Sequence, residues 1–270
     1  MAAKLAVQQN KALQIIMGAY KATRVRQLET EAYIPPIDIW LEAKSACFHR
    51  QLDRTGMAKL ILSLSAPIRR QVLQRQQNRH RRQPTCISTP IEQGREDALK
   101  WFQARDFASC SGEPQTRILR NWKTRWRGSA GQRTAADQVW TSPKQVRQDT
   151  EPTAAILAQH KDLRKAESSV LVQARTGCTG LAQFLYRCKV PGFTTPDCSC
   201  GTNAPETTRH LVQYCPLYSG RETLHPSTAR HRGIDYRWLT GTAGGAKALT
   251  RWIIGTGRLP QYSLAKRFPF

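Results

Sequence analysis

The amino-acid sequence predicts a mostly α-helical chain, in which helical segments are separated by basic linkers and a small metal-stabilised module lies toward the C-terminal end. Three observations carry this expectation. Apolar residues recur at spacings of three and four through several stretches; basic runs without acids divide those stretches; and cysteine and histidine residues gather between positions 198 and 215.

Residues 5 to about 30 read as the first helix, with Leu5, Leu13, Ile16, Met17 and Tyr20 on one face and Lys and Gln between them. Pro35 and Pro36 end it, because proline lacks an amide proton and restrains the residue before it. Ile37 to Leu64 reads as a second helix through Ile39, Trp40, Ala43, Cys47, Leu60, Ile61 and Leu64, interrupted softly at Gly56. The following run from Arg69 to Pro84, RRQVLQRQQNRHRRQP, holds six arginines, one histidine and no acid. Like charges with so little apolar surface do not nucleate a core, so a solvated linker or frayed helix is expected. Pro84, Pro90, Gly94, Gly112 and Pro114 keep the next stretch irregular, apart from a short helix around Asp97 to Phe107.

Residues 116–127, TRILRNWKTRWR, predict another helix, with Trp122 and Trp126 four apart on one face and Ile118 and Leu119 a turn earlier. Core packing of the two tryptophans is the expected role, and stacking on single-stranded bases the alternative. Gly128 to Pro152 is again linker-like. A helical period returns over 153–192 through Leu157, Leu163, Val170, Leu171, Leu181, Phe184, Leu185 and Tyr186, with Gly177 and Gly180 marking a turn. Residues 235–257 form the last expected helix, around Trp238 and Leu249 to Ile254.

Charge narrows the function classes. Against 42 Lys+Arg stand 19 Asp+Glu in 270 residues, a formal net charge of +23. From Arg54 to Ile91 there are eight basic residues and no acid. Such a field attracts polyanions, so nucleic acid is the first partner expected and an anionic membrane surface the second. No apolar run approaches the roughly 20 residues that span a bilayer, and Lys4, Lys11 and Lys21 interrupt any secretory apolar segment. No membrane partner is expected.

Catalytic patterns are missing. GTAGGAKA, residues 241–248, has Ala246 where a phosphate loop needs its second glycine and Ala248 where it needs a hydroxyl. There is no G-x-S-x-G, no H-E-x-x-H and no kinase signature. Only Glu96 and Asp97 are adjacent acids, so no carboxylate cluster suggests a two-metal site. The expectation is a protein that is not an enzyme.

Of eight cysteines, Cys47, Cys86, Cys110, Cys178 and Cys188 are scattered, whereas Cys198, Cys200 and Cys215 join His210 in the pattern C-x-C-x9-H-x4-C. Three thiolates and one imidazole complete a tetrahedral set for Zn²⁺ with no position left for water, so the expected site is structural. Gly201 suits the tight turn after C-x-C. Thr207 or Thr208 is placed to cap a short helix presenting His210, and Cys215, five residues on, falls just past the helix end before Pro216. His225 and His231 are the substitutes for His210. A bound structural metal can supply roughly 10 kcal/mol or more of folding free energy.

These motifs resemble non-LTR (LINE-type) retrotransposon polyproteins. NKALQIIMGAYKATRVRQLETEAYIPPIDIWLE, residues 10–42, is similar to the segment that follows their reverse transcriptase core. The stretch 163–215, with its R-T-G-x-x-G-L turn at Arg175 to Leu181 ahead of the cysteine cluster, resembles their C-terminal region, and TRWIIGTGRLPQYSLA, residues 250–265, their closing segment. The resemblance covers about half the chain, in order. Composition and period divide the chain into a helical segment at 1–66, a basic irregular linker at 67–115, a Trp/Arg helix and linker at 116–152, and a helical region at 153–270 with a zinc-knuckle-like module at about 195–220, and the resemblance implies that the first of these is thumb-like. It also implies a grip on template RNA or target DNA. The polymerase core with its paired aspartates, the endonuclease and ribonuclease H are not recognisable here, so the expected role is binding without catalysis.

The expected phosphate contacts are Arg69, Arg70, Arg75, Arg79, Arg81, Arg82, Arg117, Arg120, Lys123, Arg125 and Arg127. The run from Arg69 to Arg82 also reads as a nuclear import signal, which places the protein in the nucleus. Two alternatives stand beside this reading: a domesticated fragment that binds a protein partner through its apolar helices, and a decayed reading frame without function.

Overall fold

The computed structural model describes residues 2–54, 114–130, 151–224 and 233–267. The expected contacts Arg69, Arg70, Arg75, Arg79, Arg81 and Arg82, the short helix at 97–107, and His225 and His231 lie outside the described residues. Helices supply the regular structure, and no strand occurs among the described residues beyond one isolated bridge between Asp197 and Pro205. In chain order they are α1 (Ala2–Met17), α2 (Val25–Ala32), α3 (Ile37–Arg54), α4 (Pro114–Ala130), α5 (Ala155–Ala158), α6 (Lys165–Thr176), α7 (Ala182–Arg187), α8 (Thr208–Gln213), α9 (Tyr236–Gly241), α10 (Ala243–Thr256) and α11 (Ser263–Arg267). Short 3-10 turns at Arg221–Leu224 and Pro260–Tyr262 complete them. No described helix is long and apolar enough to cross a membrane.

The mostly helical expectation holds, with two differences in detail. The first predicted helix is broken in two. Gly18 adopts a left-handed φ of +61°, and a Cβ there would run into the Ser169 side chain of α6. A residue with a side chain would therefore meet both backbone strain and a clash. The last predicted helix is likewise two helices, because the Thr242 hydroxyl caps α10 by accepting from Gly245 N at 3.1 Å. Elsewhere the punctuation reads as expected. Gly177 ends α6 at φ +70°, and the Pro35–Pro36 pair is held by Gln9, whose amide donates to Pro35 O at 2.8 Å and accepts from Ile37 N at 2.9 Å.

The chain divides into two compact units, residues 1–38 with 119–270, and residues 39–118. The boundaries fall inside α3 and α4, so the stretch expected as 1–66 and the one expected as 116–152 are each shared between units. In the unit of residues 39–118, Ile39, Ala43 and Ala46 are buried, Arg117 lies 3.8 Å from Glu42, and the Lys44 ammonium sits 5.4 Å from the Trp40 ring centre.

The other unit has two apolar clusters. Leu13, Met17 and Leu28 close the α1–α2 hairpin against Val172 of α6. The larger cluster joins Val170 and Ala174 of α6, Leu211 and Val212 of α8, Leu239 of α9, and Leu249, Ile253 and Ile254 of α10, with Leu181, Leu259, Cys198 and Cys215. Val170 and Val172 face opposite clusters, so α6 is the shared wall.

Three acids are carried inside, each against an arginine distant in sequence. Arg175 Nε donates to Glu31 at 2.8 and 2.9 Å, while its Nη1 donates to Thr240 O at 2.5 Å. Glu167 accepts from Arg164 N at 2.8 Å and Arg251 Nε at 3.2 Å. Glu206 accepts from Arg258 at 2.5 and 2.8 Å and from Ala182 N at 2.8 Å. A fourth buried acid, Glu29, differs. Burial pushes its carboxyl up to about 7, against a lowering by Arg125 and with a further rise from Asp38.

Two outcomes follow from these placements. Glu31→Ala strands the Arg175 charge and is expected to cost about 3–5 kcal/mol in urea unfolding, whereas the double change Glu31→Leu with Arg175→Met recovers much of that loss, read as a double-mutant cycle. For Glu29, the raised native pKa means the folded state holds a proton that the unfolded state releases above its ordinary 4.5. The group's contribution is therefore most favourable below pH 4.5 and is lost as pH rises through about 7. Glu29→Gln is expected to stabilise the protein at pH 8, with the gap to the natural chain closing as pH falls; a gap that widens toward acid contradicts the assignment.

Candidate metal centre

The CSCGTN turn and α8 face each other across the end of the larger apolar cluster. The turn is pinned as a narrow loop: Cys198 N donates to Ala204 O and Glu206 N to Pro196 O, both at 2.8 Å. Gly201 at φ +78° reverses the chain between them. α8 then begins at Thr207, whose hydroxyl accepts from His210 N at 2.9 Å, so Thr207 rather than Thr208 is the cap. The helix ends at Gln213, and Cys215 N reaches back to His210 O at 2.8 Å. Cys215 thus returns toward His210 just past the helix end, where the five-residue offset put it.

All four ligand atoms of Cys198, Cys200, His210 and Cys215 lie within 4.8 Å of one another. Cys198 Sγ is 3.7 Å from Cys215 Sγ, and Cys200 Sγ is 3.3 Å from His210 Nε2. A tetrahedral ion with metal–sulfur bonds of about 2.3 Å and metal–nitrogen bonds of about 2.0 Å separates two sulfurs by about 3.8 Å and sulfur from nitrogen by about 3.5 Å. These two spacings are close to those edges, the remaining pairs lying within 4.8 Å, and a disulfide, which needs about 2.05 Å, does not account for them. The set fits a metal ion.

Burial pushes the Cys198 thiol up to about 12, with Cys215 beside it opposing a second negative charge. At the half-buried Cys200, the Thr202 hydroxyl 2.9 Å away draws the thiol down to about 6. Three thiolates in one place repel one another, and a cation among them removes that obstacle. Cys198, His210 and Cys215 are buried, Cys215 wholly so.

The module is fastened to the fold by residues that spacing did not single out. Glu206, between the turn and α8, carries the ion pair with Arg258 and caps the start of α7 through Ala182 N. Thr208 Oγ1 and Thr179 Oγ1 are 2.9 Å apart, and Gln213 donates to Ile234 O at 2.6 Å. The only prior signal for Glu206 is its position, as the one acid between Cys198 and Arg221.

The basic candidates on α4 are placed differently from free phosphate ligands. Arg125 makes a two-pronged contact with Asp38 at 2.9 and 2.6 Å, and Arg127 pairs with Glu151 at 2.6 Å with Lys123 3.8 Å from the same acid. Arg117 faces Glu42, and Arg120 is exposed. Trp122 is buried with its ring 5.7 Å from Tyr33, while Arg26 covers Trp126 at 4.7 Å.

Fold and site together define a helical protein with one Cys3His centre among its described residues. No family model matches the chain, and neither curated proteins nor solved structures give a match.

Cys200→Ser is expected to remove about one equivalent of bound metal per chain and to raise hydrogen exchange across residues 195–220. Metal analysis that finds the content unchanged removes these four residues as the ligand set.

Proposed function

We propose that the protein is a non-catalytic nucleic-acid-binding remnant of a non-LTR retrotransposon reverse transcriptase polyprotein, built around a structural zinc ion on Cys198, Cys200, His210 and Cys215. The observation that carries the reading is the cluster of three cysteines and one histidine with ligand atoms within 4.8 Å of one another, at the edge of the core of a chain of net charge +23. Thiolate-rich sets with one imidazole favour Zn²⁺ over harder cations, and a set complete without water suits a structural ion.

The resembling segments lend support through their packing. Residues 10–42 and 163–215 belong largely to one unit, and the Arg175 of the R-T-G turn pairs with the Glu31 of LETEAY. A pair 144 residues apart in sequence ties one resembling segment to the other. Binding rests on phosphate contacts shared among many basic side chains, with RNA or DNA as partner and the nucleus as the site of action.

A protein partner is the second reading, favoured by the exposed Leu5, Ile15 and Ile16 on α1 and by the internal pairing of the α4 arginines. Heparin separates the two, since it displaces a phosphate-driven complex and spares an apolar helix-in-groove one.

If about six duplex phosphates are neutralised, the slope of log affinity against log salt is expected near −5. A flat response excludes a phosphate-driven role.

A further inference from the structure

Three long stretches of the sequence carry no acid: residues 1–28, 168–196 and 236–270. The fold brings them together at one seam, where the turn after α1 lies along α6. Lys165, Ser169 and Gln173 follow one another at spacings of four and share that face of α6. Lys165 Nζ donates to Ile15 O at 3.4 Å, and the Ser169 side chain fills the space beside Gly18. Gln173 Nε2 donates to Gly18 O at 2.9 Å and to the Tyr262 hydroxyl at 2.7 Å. Past Gln173, the Tyr20 ring lies 4.9 Å from that of Phe184 and its hydroxyl accepts from Gln261 Nε2 at 3.1 Å. The Arg187 guanidinium in turn sits 5.3 Å from the Phe184 ring centre.

The cations of this seam have no acid beside them. Lys21, next to Tyr20 and tied to α1 by Gln14 at 3.4 Å from its carbonyl, is exposed, as are Lys165 and Arg187. None of the three forms an ion pair among the described residues. Arg187 Nη2 faces the Cys178 sulfur at 3.7 Å rather than a carboxylate, and partial burial lowers the Lys165 pKa with no acid to offset it. Of the acids that border the three stretches, Glu29 and Glu167 are buried, and Glu167 is held by Arg164 and Arg251. The exposed Asp162, Asp197 and Asp235 pair with none of these cations. A filled three-thiolate site would itself be negative, but Cys198 and Cys215 belong to the cluster on the Val170 and Ala174 face of α6, not to the face of Lys165, Ser169 and Gln173.

Resting on the nucleic-acid reading above, we infer that the phosphate chain of a nucleic acid lies along this seam, with Lys21, Lys165 and Arg187 as its charges. Lys165 and Gln173 are about 12 Å apart along α6, which matches three to four phosphates of one duplex strand at about 3.4 Å each. A guanidinium packed on a ring and lacking a carboxylate keeps donors for a phosphate oxygen. Ile15 and Ile16, exposed beside Lys165, make an anionic lipid surface the competing occupant.

The test compares the natural chain with the triple variant Lys21→Gln, Lys165→Gln, Arg187→Gln and with a control triple, Arg209→Gln, Arg237→Gln, Lys247→Gln, which removes the same charge from α8, α9 and α10. The probes are a DNA duplex, a single-stranded RNA of matching sequence and phosphatidylserine vesicles. The seam triple is expected to make the log–log salt slope on nucleic acid shallower by about 3, and the control by less than about 1. Unchanged bound metal in both triples reports that the fold is kept, and Lys21→Glu alone, at an exposed side chain, moves the slope in the same direction. Equal shifts from the two triples overturn the seam and leave a diffuse field, with the nucleic-acid function standing. Vesicle binding that the seam triple abolishes while nucleic-acid binding is unmoved gives the face to lipid and also overturns the inference. A natural chain that binds neither nucleic acid overturns the proposed function and this inference with it.

Discussion

Arg175 is the side chain on which the described unit turns. Its guanidinium is nearly excluded from solvent, with the carboxylate of Glu31 on one side and the carbonyl of Thr240 on the other. Those partners belong to α2, near the start of the chain, and to α9, near its end. A buried charge of this kind adds little net stability compared with well-packed apolar groups, but removing either partner is severe, because the remaining ion is left without water or counter-charge. The constraint is therefore one of arrangement: α2, α6 and α9 meet in the single way that closes this pair. Gly18 and Gly177 serve the same end, letting the chain turn away from α1 and α6 where a side chain would clash or strain.

The metal centre belongs to the same construction rather than hanging from it. Cys198 and Cys215 are members of the larger apolar cluster, beside Leu211, Leu249 and Ile253. Glu206 fastens the loop between the ligands to Arg258, in the segment after α10, and Thr208 meets Thr179 in the turn after α6. Because a structural metal's binding free energy is also folding free energy, a metal held by these four residues would stabilise, through these contacts, the packing of α6, α8 and α10. A metal site on a flexible tether stabilises only its own few residues, whereas this cluster is continuous with the core.

Much of this was legible beforehand, and the parts that were not share a cause. Periodicity located α3, α4, α6 and α10, and spacing located the four ligands together with the helix that presents His210, because both signals are local. Breaks at Gly18 and Thr242 were missed: an apolar stripe continues through each, and only Ser169 from α6 or the hydroxyl bond to Gly245 shows why the helix stops. Glu31, Glu167 and Glu206 were invisible as ion-pair partners, since their arginines lie 144, 84 and 52 residues away. Basic character likewise told that arginines were abundant on α4 without telling that Asp38 and Glu151 had already claimed two of them.

The scarcity of acids explains how charge and fold are connected. Among the described residues four acids lie inside, three of them paired with an arginine, and Asp38, Glu42 and Glu151 hold basic residues of α4. A paired arginine contributes little to the field felt by a distant polyanion, because its counter-charge lies within 4 Å. The positive potential must then come from basic residues with no acid beside them, and α4, though rich in arginine, is among the less effective places to seek it. Affinity for a phosphate chain is set by uncompensated charge rather than by the count of arginines, so the composition of α4 overstates what that helix offers to phosphate.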